Sequence, residues 1–132
     1  MNVIRQLSKQ AIDAVVRPPR IHYDKSLLPI KIFCSDGHQF VRHPVVFQNH
    51  AGDRITGSIY TGATSVNFDE DGKPTKTSFD VMDGGPCVIY LHRNSSTQNE
   101  GTFLIPNLCP YGISVFLFDF AGCGESDGDY IS

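Results

Sequence analysis

Two uninterrupted apolar stretches near the carboxyl end constrain this chain more than any other feature. They are Cys87-Val88-Ile89-Tyr90-Leu91 and Ile113-Ser114-Val115-Phe116-Leu117-Phe118. Both are strand-sized and rich in β-branched and aromatic side chains. Apolar residues stand at consecutive rather than alternate positions, which suits strands buried on both faces of a parallel sheet. Between them, residues 100–108 place Phe103, Leu104 and Leu108 at helical spacing, and Pro110 and Gly112 stop the run. Parallel strands need a crossover connection, so strand, helix and strand with short joints read as a βαβ unit. The fold class is α/β.

Upstream the pattern differs. Residues 39–48 and 54–60 are β-type runs joined by Asn49-His50-Ala51-Gly52-Asp53, a turn-rich connector that predicts a hairpin with a longer loop. Residues 61–85 lose apolar periodicity and fill with Gly, Asp, Thr, Ser and Lys, which predicts a surface loop. At the amino end, Val3, Ile4, Leu7, Ala11, Ala14 and Val15 fall on one helical face, with Arg5, Lys9 and Asp13 opposite. This helix ends at Pro18-Pro19, so residues 1–20 read as a helix and a Pro-Pro linker. The pattern suits a helix docked on a domain. A mitochondrial presequence or a membrane-surface anchor would have a similar one.

A length of 132 residues allows one domain. A net charge of −3, with 11 basic against 14 acidic residues, gives no reason to expect nucleic-acid binding. No apolar run approaches the roughly 18 residues of a membrane span. There is no signal-peptide pattern, and Cys34, Cys87, Cys109 and Cys123 form no C-x-x-C pair, so reduced thiols and a cytoplasmic location are expected. The five histidines lack metal-ligand spacing, so neither a metal nor another cofactor is implied.

Ligands of open α/β sheets bind beyond the carboxyl ends of the strands. Here those positions hold residues 92–96 and the Gly-rich residues 119–128. Gly124-Glu125-Ser126-Asp127-Gly128 fits the G-x-S-x-G nucleophile elbow. An elbow, however, follows its strand directly, opens a helix and has a His downstream, none of which holds here. Ser126 reads as a turn residue. Gly122-x-Gly124-x-x-x-Gly128 is a relaxed dinucleotide fingerprint, but its third Gly is displaced and its acidic partner is missing. A Cys123–His92 thiol–imidazole couple is a further candidate whose geometry the sequence does not fix.

Taken together, these segments resemble a known superfamily. Leu91-His92-Arg93-Asn94-Ser95-Ser96 is similar to the H-G-N-S oxyanion loop of α/β-hydrolases. Residues 118–128 are similar to their D-[FY]-x-G-x-G-x-S-x-G segment after the next strand. Arg17-Pro18-Pro19-Arg20 with Tyr23, and the hairpin from Phe40 to Tyr60, resemble a eukaryotic branch grouped with prolyl-oligopeptidase-type and serine aminopeptidase-like peptidases.

The resemblance implies a partial α/β-hydrolase fold: N-terminal helix, β-hairpin, then one parallel βαβ unit over residues 86–128. It implies a serine hydrolase of ester, thioester or peptide bonds whose nucleophile, acid and base lie beyond residue 132, so that this chain alone is inactive. It assigns Arg93 and Asn94 to the oxyanion loop, and Asp119, Gly122, Gly124, Ser126 and Gly128 to a turn at the active-site mouth. Arg93 stands where the family has Gly, and a side chain forced to positive φ there would be strained. A small-molecule or peptide substrate is expected only with the full domain. The alternatives are a non-catalytic interaction protein, whose last strand offers a sheet edge to a partner strand, and a nucleotide-binding half-domain.

Overall fold

The computed structural model describes residues 2–17, 19–33, 37–62, 69–73 and 85–131. Its elements are helix α1 (Asn2–Val16), strands β1 (Lys31–Phe33), β2 (Gln39–Gln48), β3 (Arg54–Gly62) and β4 (Cys87–Tyr90), helix α2 (Ile105–Leu108) and strand β5 (Ser114–Phe118). The strands form one five-stranded mixed sheet in the order β1-β2-β3-β5-β4. Neighbours are antiparallel except β4 and β5, which run parallel.

Local chemistry closes the hairpin. The side-chain oxygen of Asn49 accepts the backbone N–H groups of Ala51 and Asp53, each at 2.9 Å, and Gly52 takes φ 88°. That turn brings Gln48 opposite Arg54, and the register runs on to Phe40 opposite Gly62. Thr61 and Gly62 thus belong to β3 rather than to the loop expected from residue 61. Of that loop, residues 69–73 form a tight turn, with Gly72 N–H on Asp69 O at 3.0 Å. Residues 63–68 and 74–84 lie outside the described residues, as do Pro18 and Cys34.

The crossover from β4 to β5 packs against one face of the sheet. It runs as a 3-10 helix (Gln98–Leu104), then α2, then a further 3-10 turn (Cys109–Tyr111). Sequence spacing predicts one continuous helix over residues 100–108; Pro106, which lacks the N–H that a continuous α-helix needs, divides it, and Pro110 ends it. Gly101 allows the close approach, because a Cβ there would collide with Leu117 and Tyr90. Ile105 and Cys109 meet Phe40, Tyr60, Val115 and Leu117 in the core.

Three further expectations need correction. The last parallel strand is not the sheet edge: β5 lies between β3 and β4, and β4 is outermost. Consequently β4 is not buried on both faces, and its neighbours Val88 and Ile89, which point to opposite faces, are both exposed. Only β5 has the burial that its apolar run predicts. Finally, α1 does form, but Val3, Ile4, Leu7 and Val15 are exposed, so its apolar face does not dock on the described residues. The helix is held by its end: Asn94 donates to Val15 O at 3.3 Å, Ile131 N–H to Val16 O at 3.0 Å, and the Arg17 guanidinium lies 4.1 Å from the centre of the Tyr130 ring. Among the described helices, none is long and apolar enough to cross a membrane.

Candidate functional site

Parallel pairing of β4 with β5 puts their carboxyl ends side by side, so residues 91–97 and 119–128 emerge together. The two segments are bonded directly. Phe120 N–H donates to His92 Nε2 at 3.2 Å, and the His92 and Phe120 rings meet edge-on with centroids 4.8 Å apart. Since Nε2 accepts, the hydrogen bonding assigns the ring proton to Nδ1, which donates to Arg93 O at 2.8 Å. His92 is buried with both nitrogens committed to backbone, so it serves as a post between two loops rather than as a free base.

Asp119 organises the second segment. It follows an apolar strand, is fully buried, and needs donors to be tolerated there. Its Oδ1 accepts Gln98 N–H at 2.7 Å; its Oδ2 accepts the Tyr23 hydroxyl at 2.6 Å and Glu125 N–H at 3.1 Å. Burial first, then the bond to Asp119, pushes the Tyr23 phenol above its ordinary 10.0. Gly124, at φ 48°, curls the turn so tightly over Asp119 that a Cβ would strike the carboxyl group. From outside, the Arg20 guanidinium donates to the carbonyls of Gly124 (3.0 Å), Gly128 (2.7 Å) and Ser126.

This wiring settles the local role of several residues. Ser126 is buried; its hydroxyl donates to Asp119 O at 2.7 Å and accepts Thr56 N–H at 2.9 Å, tying the turn to β3. It has neither access nor a base, and the strand–turn–helix of an elbow is absent around it. Cys123 is buried, and burial ahead of the nearby Asp119 charge pushes its thiol up, away from a nucleophilic thiolate. Cys87 and Cys123 carry free thiols. Among the described residues, no three His, Cys, Asp or Glu side chains cluster to hold a metal. A Cβ at Gly122 would meet the Tyr130 backbone and one at Gly124 the Asp119 carboxyl group, so both glycines are required by close packing.

The first segment also departs from expectation. Arg93 is not at positive φ; the left-handed residue is Ser95, at φ 56°. The strain expected from a side chain at this position is therefore absent. Instead, Arg93 N–H donates to Glu100 Oε2 at 2.9 Å and its guanidinium pairs with Oε1. Ser96 first, then Arg93, pulls the Glu100 carboxyl down to about 2. Asn94 lies exposed with its side chain on the end of α1.

Beside these segments and the end of α1 lies a cavity of about 290 Å³ lined by Val15, Val16, His92, Arg93, Asn94, Phe120 and Ile131. Its size suits a small group, and Val15, Val16, Phe120 and Ile131 give it an apolar lining. No serine or cysteine among the described residues lines it. Sequence reasoning gave no role to Thr56 or Gln98 and quoted Arg20 and Tyr23 only as part of a resemblance. A buried aspartate directly after an apolar run was the available signal that donors had to converge there. No protein family, no curated protein and no solved structure matches this chain.

Proposed function

We propose that residues 1–132 supply the amino-terminal half of a serine α/β-hydrolase domain that cleaves ester, thioester or peptide bonds. The observation that carries this reading is the meeting of residues 92–97 with the Asp119 turn at the carboxyl ends of the parallel pair. In such hydrolases one oxyanion N–H comes from the loop after the corresponding strand. With Arg93 N–H engaged by Glu100, that role falls to Asn94, beside the apolar cavity. Asp119, Gly122, Gly124, Ser126 and Gly128 wall the mouth, and Arg20 and Tyr23 brace that wall. The nucleophile, acid and base come from another part of the domain, and no cofactor takes part. Alone, these residues do not hydrolyse.

The edge at β4, open among the described residues, also supports the reading. Val88 and Ile89 are exposed on opposite faces of β4, as they would be if a further parallel strand and its covering helices were missing. The same exposure favours a second reading, in which β4 takes up an extended segment of a separate protein by strand addition. Intact mass of the native product separates the two. A product well above 14.6 kDa, containing a strand–G-x-S-x-G–helix segment, supports the hydrolase. A 14.6 kDa product that co-purifies with a partner whose cross-links map to β4 supports strand addition and overturns the first reading.

A further inference from the structure

Helix α1 presents its apolar residues to solvent: Ile4 is 76% exposed, Val3 69%, Val15 63% and Leu7 60%. With Ala11 and Ala14 they fill an arc of about 120° on the helix. The half-buried positions of α1 are Asp13 and Val16, at the end where Asn94 and Ile131 hold the last turn. The helix thus touches the body by its carboxyl end, where Val15 lines the cavity, and turns the rest of its apolar face away.

Such a helix is poorly supported in water. Isolated helices shorter than about 12–15 residues are marginal even in alanine-rich sequences. This one carries β-branched Val3, Ile4, Ile12, Val15 and Val16, with no acid in its first turn and no base in its last. Its stability has to come from a surface that covers the apolar face.

Charge selects the kind of surface. Arg5 and Lys9 lie across the helix from the apolar arc, and Arg17 follows its last turn. The one acid, Asp13, is drawn toward the body. Short basic amphipathic helices of this design lie in the headgroup region of a bilayer, with the apolar face in the acyl boundary and the bases among anionic headgroups. We propose that α1 binds this protein to anionic membrane surfaces, lying on the bilayer without crossing it. The inference is independent of the hydrolase reading. It also places the cavity, whose walls include Val15 and Val16, at the membrane-facing end of the body.

Co-sedimentation of the 132-residue protein with phosphatidylcholine vesicles, with and without phosphatidylserine, tests this. The protein should bind the anionic vesicles, release with added salt, and gain helical circular dichroism on binding. I4E/L7E should abolish binding, and R5Q/K9Q should weaken it roughly 25-fold, at about fivefold per base near the surface. Both pairs lie outside the sheet core, and unchanged thermal unfolding of the body verifies that it is intact. Equal binding to neutral vesicles, or wild-type binding by I4E/L7E, overturns the proposal. So does a wild-type dimer that ignores vesicles and becomes monomeric in I4E/L7E, which would make a second copy the occupant.

Discussion

Replacing Asp119 should unravel the turn that walls the candidate site. Its carboxyl group accepts Gln98 N–H, Glu125 N–H and the Tyr23 hydroxyl in a fully buried position. Asp119→Ala strands those donors, and each buried donor left without a partner costs about 1–3 kcal/mol. With water entering the small vacated space, a net loss of about 4 kcal/mol is expected. That is much of the about 5–15 kcal/mol that holds a domain folded. Asp119→Asn keeps the volume and one acceptor but sets an NH₂ group against Glu125 N–H or Gln98 N–H, for about 2–3 kcal/mol. Urea unfolding at low protein concentration, followed by circular dichroism, measures both. Tyr23→Phe supplies the cycle: about 1 kcal/mol alone, and much less in the Asp119→Ala background, since the shared acceptor is already gone. Asp119→Asn costing under about 0.5 kcal/mol with an unchanged denaturant slope would refute the hub.

Arg20→Met removes the donors to the Gly124, Ser126 and Gly128 carbonyls and should cost about 2 kcal/mol, with faster amide exchange across residues 122–128. Burial holds His43 below its ordinary 6.5, so the unfolded chain takes up the proton first as pH falls through that value. Stability should therefore drop below pH 6.5, levelling off under the folded-state value, and His43→Gln should flatten that slope in urea titrations at several pH values. Ile89→Lys places a charge on the open β4 edge and should suppress concentration-dependent association in sedimentation velocity, while wild-type protein associates. An unchanged sedimentation profile in Ile89→Lys would mean that β4 does not drive that association.

Periodicity and turn chemistry made the local elements legible. The Asn49–Asp53 connector, the consecutive apolar runs and the helical face of residues 3–15 each became the element they predict. Strand order was not legible, because hydrophobic runs say that a strand wants cover and not which neighbour provides it. The run at residues 87–91 looks as buried as the run at residues 113–118, yet β4 is the edge and β5 the interior. β1 escaped notice because three residues are too few to show a period. At the site, the sequence pointed to Asp119 and the glycines but not to Gln98, Thr56 or the clamp from Arg20. Those bonds join residues 21 to 108 positions apart, and no local pattern encodes them. Arg93 looked strained in the sequence; in the fold the left-handed position falls on Ser95 instead.

Fluorophosphonate labelling of the native protein, with mass-spectrometric mapping of the modified residue, tests the hydrolase reading most directly. A serine hydroxyl becomes a good nucleophile only when a base takes its proton and donors hold the oxyanion. If residues 1–132 belong to such a hydrolase, one serine outside them should label stoichiometrically, labelling should be lost when Asp119→Asn collapses the wall, and residues 1–132 expressed alone should not label. Label on Ser126, or a native protein that stays unlabelled, would contradict it.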